Sequence, residues 1–236
     1  MLFKKLSAPS LKELFVSELE GMILSGKLEI GTKLPPEREL AESMQVSRAV
    51  VNSGIAEMEK KGFLVVKPRI GTFVADYRRY GTTETLVSIM QYNGGMLRDK
   101  EVRSTLEVRI IFMNLAAALA IERATDEEIQ SLEHYVKDLE KCEDPEETAS
   151  LIFAFSHELS YISGNDLLPL FFISFRDLVT SLWVRFATLY GTQALAESAA
   201  TIYRYVAARD KEGATNYITR STQESIDGNR QIYYQS

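Results

Sequence analysis

Residues 34–52 read LPPERELAESMQVSRAVVN, and this stretch decides the fold of the N-terminal part of the chain. Its two prolines stand just before a helix start, where the first amides have no intrahelical partners. The apolar spacing predicts a short helix over Glu37–Met44 and a turn at Gln45-Val46. Ser47 is a good N-cap for a following helix, and Gly62 is a good C-terminal stop. Two helices joined by a tight turn are therefore predicted here.

The flanking sequence completes a small domain. Before the stretch, apolar residues recur at helical spacing, at Leu11, Phe15, Leu19, Met22 and Ile23. They predict an amphipathic helix that ends at Gly26. After the stretch, Phe63–Val66 and Thr72–Val74 are predicted strands joined by a hairpin tip at Arg69–Gly71. Three helices followed by a two-stranded wing make a winged helix-turn-helix, which we assign to residues 1–76.

The third helix of this unit, which begins after Ser47 and is the second of the helix-turn-helix pair, would be the recognition helix. In helix-turn-helix proteins the N-terminal residues of that helix lie nearest the base edges of the major groove. Ser47 suits a phosphate, Arg48 can pair with guanine through two hydrogen bonds, and Asn52 can pair with adenine. Lys67 and Arg69 in the wing suit the DNA backbone or the minor groove.

At this point the sequence resembles the GntR family of bacterial regulators. The resemblance is carried by four pieces in the same order and spacing, which are residues 34–41, Val46-Ser47-Arg48, Gly62-Phe63-Leu64 and Gly71-Thr72-Phe73-Val74. It implies that Arg38, Arg48 and the wing around Gly71 contact DNA. The family usually has arginine where this chain has Asn52, so its usual operator preference is not expected to carry over.

Other interpretations of these basic residues stay open. Arg38 can instead pair with Glu42 at helical spacing. Lys60 and Lys61 suit a solvated helix end that complements the helix dipole. Lys67 can serve the solubility of the wing.

The rest of the chain is predicted to be helical. Residues 77–83 are polar and contain Gly81, and we place a linker there, followed by a domain over 84–236. Apolar stripes at helical spacing predict a bundle of about six or seven helices. These stripes lie in 106–120, 126–142, 147–163, 167–190, 193–208 and 211–226. The fold class is thus mainly α, a winged helix-turn-helix plus an all-α bundle.

The helical domain resembles the FadR-like branch of that family. The resemblance is carried by Glu107-Val108-Arg109, the alanine-rich run 116–120, Ser163-Gly164-Asn165 and Ala208-Arg209-Asp210. It implies a domain that binds a small effector and forms the dimer. Many members bind a metal there through one aspartate and three histidines. The corresponding positions in this chain are Ile152, Ser156, Ala199 and Ser221. The chain has two histidines, so we predict no metal and no other cofactor.

The effector is predicted to be an anion. The stretch Leu182–Arg185 with Tyr190 resembles the fatty-acyl-CoA-responsive members, which implies an acyl-CoA or another lipid-like effector. Arg109 and Arg185 border apolar stripes, and a partly buried charge needs a partner. That partner is either a ligand or an internal carboxylate. The predicted effector-binding residues are Arg109, Ser156, Arg185 and Ser221.

Charge and composition narrow the function. The first 80 residues carry 13 basic and 10 acidic side chains, whereas the whole chain has a net charge of −6. This asymmetry suits a DNA-contacting end joined to an acidic body. Residues 1–6 lead into a polar segment and lack the apolar core of a signal peptide. With a single cysteine and no membrane span foreseen, we expect a cytoplasmic protein.

The predicted function is a homodimeric transcription regulator that binds a palindromic operator and responds to a small effector. An enzyme is not expected, because neither a nucleophile–base spacing nor a phosphate-binding glycine loop is found. Two alternatives stay open. One is a metal-dependent regulator that senses a small carboxylate. The other is a winged-helix module that docks another protein, whose binding would lack the steep salt dependence of phosphate contacts.

Overall fold

The computed structural model describes residues 9–82, 84–85, 88–89, 92 and 99–233. It divides the chain into two units, Met1–Gly95 and Met96–Ser236. Residues 1–6, which bear on the signal-peptide question, and Thr83 of the predicted linker lie outside the described residues. The mainly α fold class is confirmed.

The first unit has the predicted order of elements. They are α1 (Leu11–Leu24), α2 (Glu37–Ser43), α3 (Arg48–Lys60), β1 (Leu64–Lys67), β2 (Gly71–Val74) and α4 (Tyr77–Tyr80). The two strands are antiparallel, with Leu64 opposite Val74 and Lys67 opposite Gly71. A wing therefore follows three helices.

The turn between α2 and α3 is built from backbone and cap hydrogen bonds. Gln45 has a φ of 53°, in the left-handed region. The amide of Val46 donates to the carbonyl of Ala41 over 3.0 Å. The hydroxyl of Ser47 accepts from the amide of Val50 over 3.3 Å, as predicted for an N-cap. These bonds set where α3 begins.

The core of the first unit depends on a close approach of α1 to α3. Gly54 is buried in the middle of α3, and the ring of Phe15 occupies the place where a Cβ on Gly54 would stand. Phe15 is itself only 2% exposed and packs in the same core as Val51 and Met58. Glycine costs helix stability at such a position, so its use here reflects packing.

The segment after the wing packs on the first unit. Thr85 Oγ1 donates to the carbonyl of Lys61, and Ser88 Oγ donates to Glu20 Oε1 over 3.0 Å. The first unit accordingly extends beyond residue 84, where the sequence predicts that the second domain begins. Part of the predicted linker, Tyr77–Tyr80, is the short helix α4.

Eight helices make up the described part of the second unit. They are α5 (Asp99–Arg123), α6 (Asp126–Ser131), α7 (Glu133–Lys141), α8 (Pro145–Ile162), α9 (Leu168–Ser174), α10 (Arg176–Tyr190), α11 (Thr192–Ala207) and α12 (Lys211–Ile226). The predicted helices over 126–142 and 167–190 are each divided in two. The amide of Leu132 bonds to the carbonyl three residues back, and Phe175 leaves helical geometry with φ −96° and ψ 4°.

Helix α5 lies in the core of the second unit and packs against α12 and α8. Its small residues Ala116, Ala117 and Ala120 are fully buried, which lets neighbouring helices approach closely. Within the described residues, α5 is long and apolar enough to cross a membrane by length and composition alone. A core helix of a soluble protein passes the same test, and Met113 in α5 is 1% exposed within the core.

Arg209 joins three helix ends. It has a φ of 56° and lies just before α12. Its guanidinium donates to the carbonyls of Ile121 and Ala124 over 2.7 and 2.8 Å, and to Asp126 Oδ1 over 2.7 Å. It thereby satisfies carbonyls at the C-terminal end of α5, which have no partners within the helix.

We expect Gly54→Ala to destabilise the first unit. Helix propensity alone favours alanine, but the new methyl overlaps the buried Phe15 ring, and overpacking costs about 1–3 kcal/mol. Urea unfolding followed by circular dichroism should show an earlier transition. The fluorescence of Trp183, the sole tryptophan, reports the second unit separately.

Ser53→Ala is the matched control, because Ser53 lies next to Gly54 on the exposed side of α3. It should change stability by no more than about 0.5 kcal/mol. A Gly54→Ala protein more stable than the Ser53→Ala protein would contradict the packing argument.

Candidate functional site

Arg48 is the first residue of α3, and its side chain is exposed. In the part of the chain that the structure describes, no carboxylate forms an ion pair with it. The adjacent Ser47 hydroxyl caps the helix by accepting from the amide of Val50. The N-terminus of α3 thus presents an unpaired guanidinium beside the positive end of a helix dipole, an arrangement that suits a phosphate or a guanine edge.

Arg38 does have a partner within the chain. Its Nε lies 2.9 Å from Glu42 Oε1, at the helical spacing considered from the sequence. The two side chains are 72% and 65% exposed. Such an exposed pair contributes at most about 1 kcal/mol. Arg38 can therefore exchange Glu42 for a phosphate at little cost.

Asn52 faces the start of α2. With its amide nitrogen turned toward Glu37, Asn52 donates to both carboxylate oxygens of that residue. Both side chains are exposed, and the contact links the first turns of α2 and α3. The carboxylate holds the amide nitrogen, which leaves the amide oxygen of Asn52 as an acceptor.

The wing carries the predicted cations and one that the sequence analysis missed. Lys67 Nζ lies 4.8 Å from the centroid of the Phe73 ring, and Lys33 Nζ lies 5.9 Å from it. Gly71 has a φ of 136°, and a Cβ there would lie 2.7 Å from Lys33 Cε. Arg69 is exposed at the turn with a φ of 64°. Lys33 pairs with β2 through a bridge to Phe73, a non-local contact that helical spacing cannot reveal.

Other cations of the first unit lie within ion-pair distance of a carboxylate. They are Lys12 with Glu57, Lys60 with Glu84, Lys61 with Glu20 and Glu57, and Arg78 and Arg79 with Asp76. Among the described residues, Lys27, Lys33, Arg48, Lys67 and Arg69 have no such carboxylate. Four of these five cations lie at the start of α3 and at the wing, and the fifth, Lys27, follows α1.

The second unit holds a cavity of about 370 Å³ between α5, α10, α11 and α12. Its apolar wall includes Leu182, Trp183, Phe186 and Leu195. Hydroxyl groups of α12 contribute a polar side, at Tyr217, Ser221 and Thr222. An apolar enclosure with a few convergent polar groups is the usual form of a small-molecule site.

Arg109 is the charged group at this cavity. Its Nη1 donates to Thr222 Oγ1 over 2.5 Å, and its guanidinium lies 5.5 Å from the centroid of the Trp183 ring. Its Nε is buried without a hydrogen-bond partner. Burial lowers the pKa of Arg109 to about 10, so the group stays protonated at neutral pH. In the described residues no carboxylate pairs with it.

Two more arginines and one carboxylate lie at the edge of the cavity. Arg220 and Arg230 are exposed residues that line it, together with Glu224. Three guanidinium groups against one carboxylate give the cavity an excess of positive charge. Electrostatics therefore favour an anionic occupant.

The structure brings together two of the four predicted effector-binding residues. Arg109 and Ser221 both line the cavity. Ser156 does not, because it is buried within α8 and its hydroxyl donates to the carbonyl of Ile152 over 2.8 Å. Arg185 is likewise absent from the lining, since its Nε donates to the carbonyl of Ile232 over 2.7 Å. Thr222 was missed, although it lies one residue after Ser221.

The four positions that correspond to the family's metal ligands do not fit a divalent metal. Ile152 and Ala199 are buried apolar residues, and Ser156 and Ser221 offer hydroxyls. Among the residues that the structure describes, no three histidine, cysteine or acidic side chains are grouped to hold a metal ion. His157 stacks on Phe153 at 5.9 Å instead.

Two family models match the chain. Residues 12–74 match "Bacterial regulatory proteins, gntR family", and residues 104–223, half of the chain, match the FCD domain. The chain belongs to the GntR family of bacterial regulators. In this GntR protein most residues that line the cavity lie within the FCD match, and the others, from Glu224 to Ile232, follow it. The family is one of transcription regulators and not of enzymes.

Similar GntR-type proteins include two named regulators. LutR of Bacillus subtilis is 29% identical over 62% of this chain and 65% of its own length. Mce2R of Mycobacterium tuberculosis is 30% identical over 61% of this chain and 60% of its own length. The chain thus spans less than two thirds of each of these relatives.

One solved structure supports the fold. Lar, described as controlling the expression of the Listeria monocytogenes agr system, superposes with a TM-score of 0.60 at 17% identity. The match covers 92% of this GntR protein and 95% of Lar. At that identity the likeness concerns the fold alone.

We expect Asn52 to determine one base of each half-site. Once its amide nitrogen leaves Glu37, Asn52 can pair through two hydrogen bonds with adenine, whereas an arginine pairs with guanine, and each such pair discriminates by about 1–3 kcal/mol. Selection from a random duplex pool should give adenine at that position for the natural protein and guanine for Asn52→Arg. Asn52→Ala should relax the preference there.

Ser53→Ala, at the next exposed position of α3, should leave the selected sites unchanged. Identical selected sequences from all the Asn52 variants would show that this residue does not read a base.

Proposed function

We propose that this protein is a homodimeric, effector-controlled regulator that binds a palindromic operator through its winged helix-turn-helix. The observation that carries the DNA-binding part is the distribution of ion pairs. Arg48, Lys67, Arg69 and Lys33 lie at the start of α3 and at the wing and have no described carboxylate partner, whereas all other described cations of the unit except Lys27 have one. Phosphate neutralisation by such groups is the main source of affinity for DNA.

The proposed effector is an amphipathic anion anchored by Arg109. A partly buried guanidinium whose Nε is buried and unsatisfied leaves a strong donor for a carboxylate or similar group. Trp183, Phe186 and Leu182 offer an apolar surface for the rest of the ligand. The effector-binding set that we propose is Arg109, Ser221 and Thr222.

The cavity size favours a small ligand over a whole acyl-CoA. Its volume of about 370 Å³ lies near the lower end of the range of roughly 300–1,000 Å³ for small-molecule pockets. The nucleotide and pantetheine parts of CoA would have to remain outside. A medium-chain carboxylate satisfies both the charge of Arg109 and the apolar wall, so this is the form of the lipid-like effector that we propose.

A second copy of the chain is the proposed partner of an exposed apolar face on the second unit. Val108, Ile111 and Leu115 form an exposed stripe along α5, with Ile111 64% exposed. Phe112 stacks on Phe171 at 5.4 Å, which joins this stripe to exposed Leu170 of α9. A two-fold dimer would present two winged helices to two half-sites. We place the protein in the cytoplasm, where its operator is.

We expect DNA binding to be steeply salt-dependent, and Lys67→Ala to reduce that dependence. Removing one phosphate contact should lower the slope of log affinity against log salt by about 1. Fluorescence anisotropy with a selected duplex measures this. Lys60→Ala is the control, because Lys60 already pairs with Glu84. A flat salt profile for the natural protein would favour the protein-docking alternative.

We expect octanoate to bind the natural protein and to change the fluorescence of Trp183. Arg109→Gln should weaken octanoate binding roughly tenfold to a hundredfold, as loss of a charged hydrogen bond of about 1.5–3 kcal/mol requires. Arg204→Gln, at an exposed α11 residue bonded to Thr201, should bind octanoate normally.

Octanoyl-CoA serves as the comparison ligand. It should bind more weakly than octanoate if the cavity encloses a free carboxylate. Equal octanoate affinity for Arg109→Gln and the natural protein would contradict Arg109 as the anchor. Tighter binding of octanoyl-CoA than of octanoate would instead support an acyl-CoA as the effector.

A further inference from the structure

The chain returns across the effector cavity after α12. We call residues 228–233 the C-terminal strap. Asn229, Arg230 and Ile232 of the strap line the cavity. Ile232 is 2% exposed and belongs to the core of the second unit. The strap is therefore one wall of the cavity rather than a loose end.

Side chains of α10 hold the strap by its backbone. Arg185 Nε donates to the carbonyl of Ile232 over 2.7 Å, and a second guanidinium nitrogen donates to the carbonyl of Tyr233. The hydroxyl of Tyr190 donates to the carbonyl of Gln231 over 2.6 Å. The described part of the strap contains neither helix nor strand. These side-chain bonds thus replace the backbone ladder of a regular element.

The other end of the strap rests on α12. The amide of Asn229 donates to Glu224 Oε2 over 2.9 Å, and the amide of Arg230 donates to the Glu224 carbonyl over 3.0 Å. Gly228 approaches so closely that a Cβ there would lie 2.6 Å from Glu224 Cα. Glu224 also lines the cavity. The strap therefore starts at one cavity wall, α12, and is fastened to another, α10.

We propose that the C-terminal strap is the gate of the effector cavity, and that Arg185 and Tyr190 are the clasp that keeps it closed. The proposal rests on the cavity being the effector site. Release of the clasp frees Ile232 and widens the opening of the cavity toward Arg109. Arg230 moves with the strap, so closure brings a second cation to the mouth behind an entering anion.

Quenching of Trp183 by acrylamide tests the gate without any effector. Trp183 is the sole tryptophan, lines the cavity and is 8% exposed. We expect its quenching constant to rise at least twofold in Arg185→Gln and in Tyr190→Phe. Gly228→Ala should raise it too, by disturbing the strap from its α12 end. Arg204→Gln should leave the quenching constant at the natural value.

The folded state of each variant is checked by circular dichroism and by its unfolding midpoint. Tyr190→Phe keeps the ring and removes one hydrogen bond. It therefore tests the clasp even if Arg185→Gln does not fold. Unchanged quenching in folded Tyr190→Phe and Gly228→Ala would overturn the gate.

Stopped-flow binding of octanoate separates a gate from a wall that is merely structural. A gate predicts that Tyr190→Phe speeds both association and dissociation, with a smaller change in Kd. An increase in the dissociation rate constant alone would overturn the gate proposal. Should octanoate fail to bind the natural protein, the effector proposal fails in this form, and the quenching result still decides whether the strap closes the cavity.

Discussion

The constraint on which the second unit depends is the partly buried guanidinium of Arg109, which has no carboxylate partner among the described residues. Taking Arg109 out of water is costly unless other groups replace its hydration. Thr222 supplies one hydrogen bond, and the face of Trp183 supplies a cation–π contact that is worth about 2 kcal/mol when desolvated. Because the three residues come from α5, α12 and α10, those helices must keep fixed separations. These contacts leave Arg109 Nε without a hydrogen bond, and Arg109 lines the cavity.

The sequence was sufficient for the elements of the first unit, because each signal was local. Ser47 caps α3 as foreseen, and the hairpin around Arg69 pairs as foreseen. It was not sufficient for the breaks in the second unit. Apolar spacing continues through Leu132 and Phe175, whereas the helices end there through shifts in backbone bonding that the spacing does not record. Arg109 could be found because a charge beside an apolar stripe is unusual.

Non-local contacts account for what was missed at the sites. Arg185 has the same sequence surroundings as Arg109, but its guanidinium is taken by carbonyls 47 and 48 residues away. Lys33 reaches the wing through a bridge to Phe73. The spacing of 3.6 residues per turn assigns a side chain to a helix face, yet it does not say which segment covers that face. The sequence therefore predicted the same effector-binding role for Arg109 and Arg185, whereas in the fold only Arg109 lines the cavity.

The DNA-binding surface and the effector cavity differ in whether their charged side chains are paired within the chain. On α2 and α3, carboxylates of α2 pair with Arg38 and Asn52 on an exposed surface, where water screens each pair and exchange for DNA costs little. At the cavity, screening is weak, so a paired arginine would be hard to release for a ligand. Because no described carboxylate pairs with Arg109, a ligand would meet no such competition there.

Arginine suits the cavity better than lysine would. Burial disfavours the charged form of either group, and a buried lysine readily loses its proton near neutral pH. Arg109 begins from a much higher pKa and is lowered only to about 10, so its charge survives at neutral pH. Its planar donors also match a carboxylate through two hydrogen bonds. Effector binding would then offset a desolvation cost already present in the folded chain. Any change that the effector causes in operator affinity must be matched by an equal change that the operator causes in effector affinity.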